Sequence, residues 1–110
     1  MLFRSDLGAE WTAMTGLPFV YAAWTGRTRA ISPSDVRLLQ DAQEAGVRSL
    51  DAIAAEYGRG NAAATARAAT YLKDNVKYGI GQDDAAGLQM FLDYAADLSL
   101  APRKRTLEFF

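Results

Sequence analysis

Thr15-Gly16-Leu17 sets a side-chain hydroxyl beside successive backbone N–H groups, a donor set able to hold a carboxylate. The plainer reading is a helix stop followed by the start of an extended segment. Trp11, Phe19, Tyr21 and Trp24 are spaced to wall a ring-shaped ligand, although core packing is the expectation for most of them. Asp83-Asp84 has the form of a metal or acid–base pair. Adjacent acids at a helix start more often complement the helix dipole, and that role is expected here. Gly58-Arg59-Gly60 and Gly79-Ile80-Gly81 echo phosphate loops but lack the flanking strand and the full glycine spacing. Arg103-Lys104-Arg105 reads as a solvated run near the end of the chain.

What is missing narrows the chemistry further. The 110 residues include no cysteine, which excludes disulfides and thiolate metal sites. They also include no histidine, so the usual zinc ligand and the commonest general acid–base group are absent. Twelve basic against thirteen acidic side chains give a formal net charge of -1, leaving no basic excess to neutralise a phosphate backbone. Nucleic acid is therefore not expected as a partner. No apolar run approaches the roughly 18–20 residues that span a bilayer, and Arg4 and Asp6 interrupt any signal-peptide pattern. The expectation is a cytoplasmic protein without a membrane partner. With 50% apolar and 23% charged residues the composition is that of one globular domain.

The elements that would position these groups follow from local signals. Met1 to Ser5 fits the rest poorly, and residues 1–5 read as a non-native lead-in to a unit over 6–110. Asp6 is placed to cap a helix carrying Leu7, Trp11 and Met14, with Gly16 as its stop. Pro18 forbids continuation. Phe19-Val20-Tyr21-Ala22-Ala23-Trp24-Thr25 is the best strand in the chain, giving a crossing strand at about 18–25. A lone strand leaves its ladder unmet and needs neighbours from elsewhere; Val76 to Ile80 is only a weak second candidate. Helices are expected from Ser32-Pro33 to Gly46, from Ser49 to Tyr57, from Asn61 to Leu72, and from Gln82 to Leu98, the last closed by Pro102. Each shows one apolar face and so expects a surface to pack on.

Asp6-Leu7-Gly8-Ala9-Glu10-Trp11, with Thr15-Gly16-Leu17-Pro18-Phe19-Val20-Tyr21-Ala22-Ala23-Trp24, resembles the segment D-L-G-x-x-W…T-G-L-P-F-V-[FY]-A-x-W of the chorismate dehydratase family of the futalosine route to menaquinone. Tyr71-Leu72, Asn75-Val76-Lys77-Tyr78 and Gly87-Leu88…Phe91…Ala95-Ala96 are similar, more weakly, to the closing helices of that family. The resemblance implies an α/β chain forming the carboxy-terminal, mostly helical segment of a two-lobed, periplasmic-binding-protein-like (type II) fold. It implies chorismate in the cleft, an amino-terminal lobe supplied from outside this chain, and no metal or organic cofactor. Thr15, Gly16, Leu17, Pro18 and Phe19 would lie nearest the substrate, and no residue here takes a catalytic role. A small-carboxylate binding protein of the same fold and an autonomous helical interaction module stay open beside this reading. Exposed apolar surface, with aggregation or swapped pairing, is the expected behaviour of the isolated chain.

Overall fold

The computed structural model describes residues 4–102 and 106–109. Residues 1–3 of the expected lead-in, the Arg103–Arg105 run and Phe110 lie outside the described residues. The rest is mostly helical: α1 Leu7–Thr15, α2 Pro33–Val47, α3 Leu50–Gly58, α4 Ala62–Thr70, a π-helical turn Tyr71–Asn75, and α5 Gln82–Asp97. The chain divides into two compact units, one formed by residues 1–26 with 80–110 and the other by 27–79.

Local chemistry sets most helix starts. Asp6 accepts the N–H groups of Gly8 and Ala9 at 2.9 and 3.2 Å, using one carboxylate oxygen to satisfy two donors that the first turn leaves unpaired. Ser32 and Asp35 form a capping box: Asp35 Oδ2 accepts the Ser32 N–H at 2.8 Å while Ser32 Oγ accepts the Asp35 N–H. Pro33 opens α2 with its φ already helical. Asn61 Oδ1 accepts the Ala64 N–H at 3.0 Å and starts α4. The stops differ more from expectation. Gly16 ends α1 in the left-handed conformation at φ 73°. Gly46, expected to break α2, stays inside it, and the helix ends one residue later with the Ser49 N–H on the Gly46 carbonyl. α5 ends at Asp97 with Ser99 at φ 60°, ahead of Pro102, as the N–H groups of Leu100 and Ala101 both turn back to the Ala95 carbonyl.

The expected strand at about 18–25 is corrected. Among the described residues no β-ladder is present, and residues 18–27 run without regular structure, as do Val76 to Tyr78. The physical reason is non-local. β-structure exists only where a second strand accepts and donates, and the sequence supplies no partner of comparable quality. Phe19 and Tyr21 still fall on one side of the segment, their ring centroids 5.0 Å apart, as period-two extended chain requires.

In the second unit the seam is made of small residues. Ala54 is fully buried and Gly58 buried on α3. A Cβ added at Gly58 would meet Thr65 Oγ1, with the Thr65 N and Cα at 2.9 and 3.0 Å. α4 then widens into the π turn. The Tyr78 hydroxyl donates to the Leu72 carbonyl at 2.9 Å, Lys73 pairs with Asp51 of α3 at 2.6 Å, and Gln43 of α2 donates to the Tyr78 carbonyl. Replacing Gly58 by Ala should therefore run against the helix-propensity gain of about 1 kcal/mol. The new methyl group meets backbone that cannot rotate away, so urea denaturation followed by circular dichroism is expected to show a net loss of about 1–2 kcal/mol, the usual scale for overpacking.

Candidate functional site

The stretch from Asp6 to Tyr21 forms one braced unit, and Trp11 is its centre. Trp11 lies on the inner face of α1, 7% exposed. Its indole N–H donates to the Pro18 carbonyl at 3.2 Å. Around the ring, Phe19, Phe91 and Tyr94 stand at centroid distances of 6.1, 5.7 and 5.9 Å with interplanar angles of 64–72°. Phe19 and Phe91 close the cluster at 5.4 Å. These edge-to-face arrangements place the positive ring edge on a negative ring face, each worth about 0.5–1.5 kcal/mol beyond area burial.

Two glycines let the backbone come this close. A Cβ at Gly87 on α5 would collide with the Pro18 carbonyl oxygen and reach the Leu17 Cβ at 3.5 Å. A Cβ at Gly8 would collide with the Tyr21 hydroxyl. That hydroxyl lies 3.3 Å from Asp6 Oδ1, so the cap of α1 also tethers the segment after Pro18. The two backbone N–H bonds hold the Asp6 carboxyl below its ordinary pKa of 3.8. Tyr21 is 73% exposed as a residue, but its hydroxyl end is packed against α1. That burial, and then the Asp6 charge and hydrogen bond, raise its pKa above 10.0.

The five residues expected nearest a substrate fall together in this turn. Thr15, Leu17, Pro18 and Phe19 are half-buried and Gly16 is exposed. The donors of Thr15, Gly16 and Leu17 are committed inside the turn. Thr15 Oγ1 donates to the Trp11 carbonyl at 2.8 Å and accepts the Leu17 N–H at 3.1 Å, while the Gly16 N–H goes to the Thr12 carbonyl at 2.8 Å. The turn therefore offers a fixed shape rather than open N–H groups. Of the four aromatics considered as a ligand wall, Trp11 and Phe19 are in the cluster, and Tyr21 packs on Phe19. Trp24 is 91% exposed.

Sequence reading alone did not find the indole–carbonyl bond or the close approach at Gly87. A glycine inside a helix with no stop to make was the available signal for the second. Asp84 takes the dipole-complementing place expected of it, accepting the Gly81 N–H at 2.8 Å while 5% exposed. Among the described residues no group of three or more acidic side chains is placed to hold a metal.

Three outcomes follow for this brace. Trp11→Phe keeps an aromatic ring but deletes the donor to Pro18, and should lower stability by about 1 kcal/mol, the net worth of one hydrogen bond. Trp11→Ala should cost about 3–5 kcal/mol. Denaturant titration with tyrosine and Trp24 fluorescence reads both. Because the Asp6 pKa is depressed on folding, its contribution is complete above 3.8 and is lost as pH falls through the lower folded value. Asp6→Asn, which caps without titrating, should flatten the acid limb of a stability-against-pH curve. An unchanged limb would remove Asp6 from its cause.

A family model described as menaquinone biosynthesis matches residues 2–97. No curated protein matches, and no solved structure matches. The match covers both the braced turn and all five α-helices, the same stretches that carry the family resemblance in the sequence. The chain belongs to the menaquinone-biosynthesis family that the run from Asp6 to Trp24 marks out.

Proposed function

We propose that this chain is the carboxy-terminal part of a hydro-lyase that converts chorismate to 3-[(1-carboxyvinyl)oxy]benzoate in menaquinone biosynthesis by the futalosine route. The observation that carries the reading is the Asp6–Trp24 run, of which Asp6 to Tyr21 is built as one braced unit in a chain of this family. The reaction removes one ring hydroxyl and one ring proton as water and leaves an aromatic ring. It transfers no electrons to an acceptor and carries no group.

In this reading Thr15, Gly16, Leu17, Pro18 and Phe19 line one wall of the cleft. The donors of Thr15, Gly16 and Leu17 are already committed within the turn, so the turn contributes a preorganised surface when substrate enters. The proton-transfer and carboxylate-binding groups belong to an amino-terminal lobe of a two-lobed α/β fold. Support comes from what the first unit leaves uncovered: Tyr21, Trp24, Leu98 and Leu100 are each more than 70% exposed. Large apolar side chains in such numbers on a small unit mark a surface meant to be covered.

The test is to supply chorismate to the chain alone and to the chain co-expressed with the amino-terminal lobe of a family member. Chorismate loss and appearance of the aromatic product are followed by absorbance and mass. No turnover is expected from the chain alone and measurable turnover from the pair. Tight chorismate binding by the pair without turnover would leave a small-carboxylate binding protein and end the enzyme reading. A monomeric chain that unfolds cooperatively and ignores the lobe would point instead to an autonomous helical interaction module.

A further inference from the structure

The second unit contains a groove that the reading above does not use. It is lined by Ile53 and Tyr57 of α3, by Ala64, Arg67 and Ala68 of α4, and by Tyr71 and Leu72 of the π turn, and holds about 520 Å³. Its origin is the helix seam. Gly58 faces Thr65 across the seam and Ala54, one turn earlier, is fully buried, so the adjacent stripe of Ile53 and Tyr57, again four residues apart, stands beside the seam rather than in it. Ala64 and Ala68 are short, which leaves the space open. The π turn adds Tyr71 and Leu72 to the lining where a single-turn widening of an α-helix frequently marks a functional place.

The chemistry of the lining is selective. Most of it is apolar, two members are phenols, and a single guanidinium is present. Among the described residues Arg67 has no ion-pair partner. Tyr57 and Tyr71 are 75% and 60% exposed, and Ile53 is 42% exposed. An open apolar groove of this size with one unpaired cation and two ring faces is complementary to a small ring bearing one negative charge.

We propose that the groove binds an aromatic monocarboxylate of the benzoate class. The ring packs against Ile53, Leu72 and the two tyrosines, and the carboxylate takes a hydrogen-bonded ion pair from Arg67. Arg67 is suited to the task because its planar fork meets both carboxylate oxygens at once. The proposal is independent of the dehydratase reading, since every lining residue lies within residues 27–79 and none belongs to the Thr15–Phe19 turn.

The experiment is a titration of the full 110-residue chain, labelled with nitrogen-15, using benzoate and its uncharged isostere benzamide. Saturable shifts of the amides of residues 64–72 are expected with benzoate. Benzamide should bind about tenfold more weakly, and Arg67→Met should weaken benzoate by the same factor while leaving benzamide unchanged. Ala68→Leu, a substitution that keeps helix propensity, should abolish binding with the helical circular dichroism intact. Equal binding of benzoate and benzamide, an unaffected Arg67→Met variant, or no saturable shift would overturn the proposal. So would shifts at these amides that depend on protein concentration without ligand, which would assign the groove to a second copy of the chain.

Discussion

The hydrogen bond from the Trp11 indole to the Pro18 carbonyl is the constraint on which the first unit depends. Trp11 is buried, and a buried indole N–H left without an acceptor would cost about 1–3 kcal/mol. That requirement draws the chain after Gly16 back across α1. Once it is there, Phe19 reaches the aromatic cluster, Tyr21 reaches Asp6, and the Pro18 carbonyl occupies the space that a side chain at position 87 would need. Proline suits the acceptor position because it has no N–H of its own to satisfy. A single bond seven residues long in sequence thus sets the entry of α1, the path of the turn and the approach of α5.

The second unit is held differently. Its seam relies on the absence of side-chain bulk at Ala54 and Gly58, and its polar ties are between exposed groups. The Lys73–Asp51 pair joins the π turn to α3, but both side chains are well exposed, and ion pairs of that kind contribute about 0–1 kcal/mol. α2 is secured at its start by the capping box and linked by Gln43 to the Tyr78 carbonyl, while Leu38 and Leu39 remain exposed. Among the described residues Trp11 and Ala54 are the only buried apolar side chains. The arrangement is specified by shape at two seams rather than by a deep core.

How much could be read from residues alone divides along range. Asp6, Ser32 and Asn61 were legible as helix starts because a cap acts over two or three residues; the return bond from Asp35 that completes the box at Ser32 was not. Gly16 was legible as a stop for the same reason. Gly46 was not, because a glycine tolerated within a helix looks in sequence like one that ends it. The segment from Phe19 to Thr25 has the composition of a strand, but composition cannot supply a neighbour. What it forms here is decided by Trp11, Asp6 and Phe91. At the candidate site the same division holds. Thr15 to Phe19 were identified together, whereas the internal use of their donors depended on φ/ψ values that only the folded turn reveals. The motif that marks the family is thus, in physical terms, a set of contacts that hold one turn in place.

The π turn at Tyr71–Asn75 has a consequence for length variation in this region. A π turn accommodates one more residue per turn than an α-helix, and here the Leu72 carbonyl accepts a phenol six residues further along. Deleting one residue between 71 and 75 would let the turn close as ordinary α-helix, and the chain beyond would leave it in nearly the same direction. A one-residue change in length is therefore absorbed in this turn, whereas the same change within α4 would rotate everything beyond it by about 100° around the helix axis.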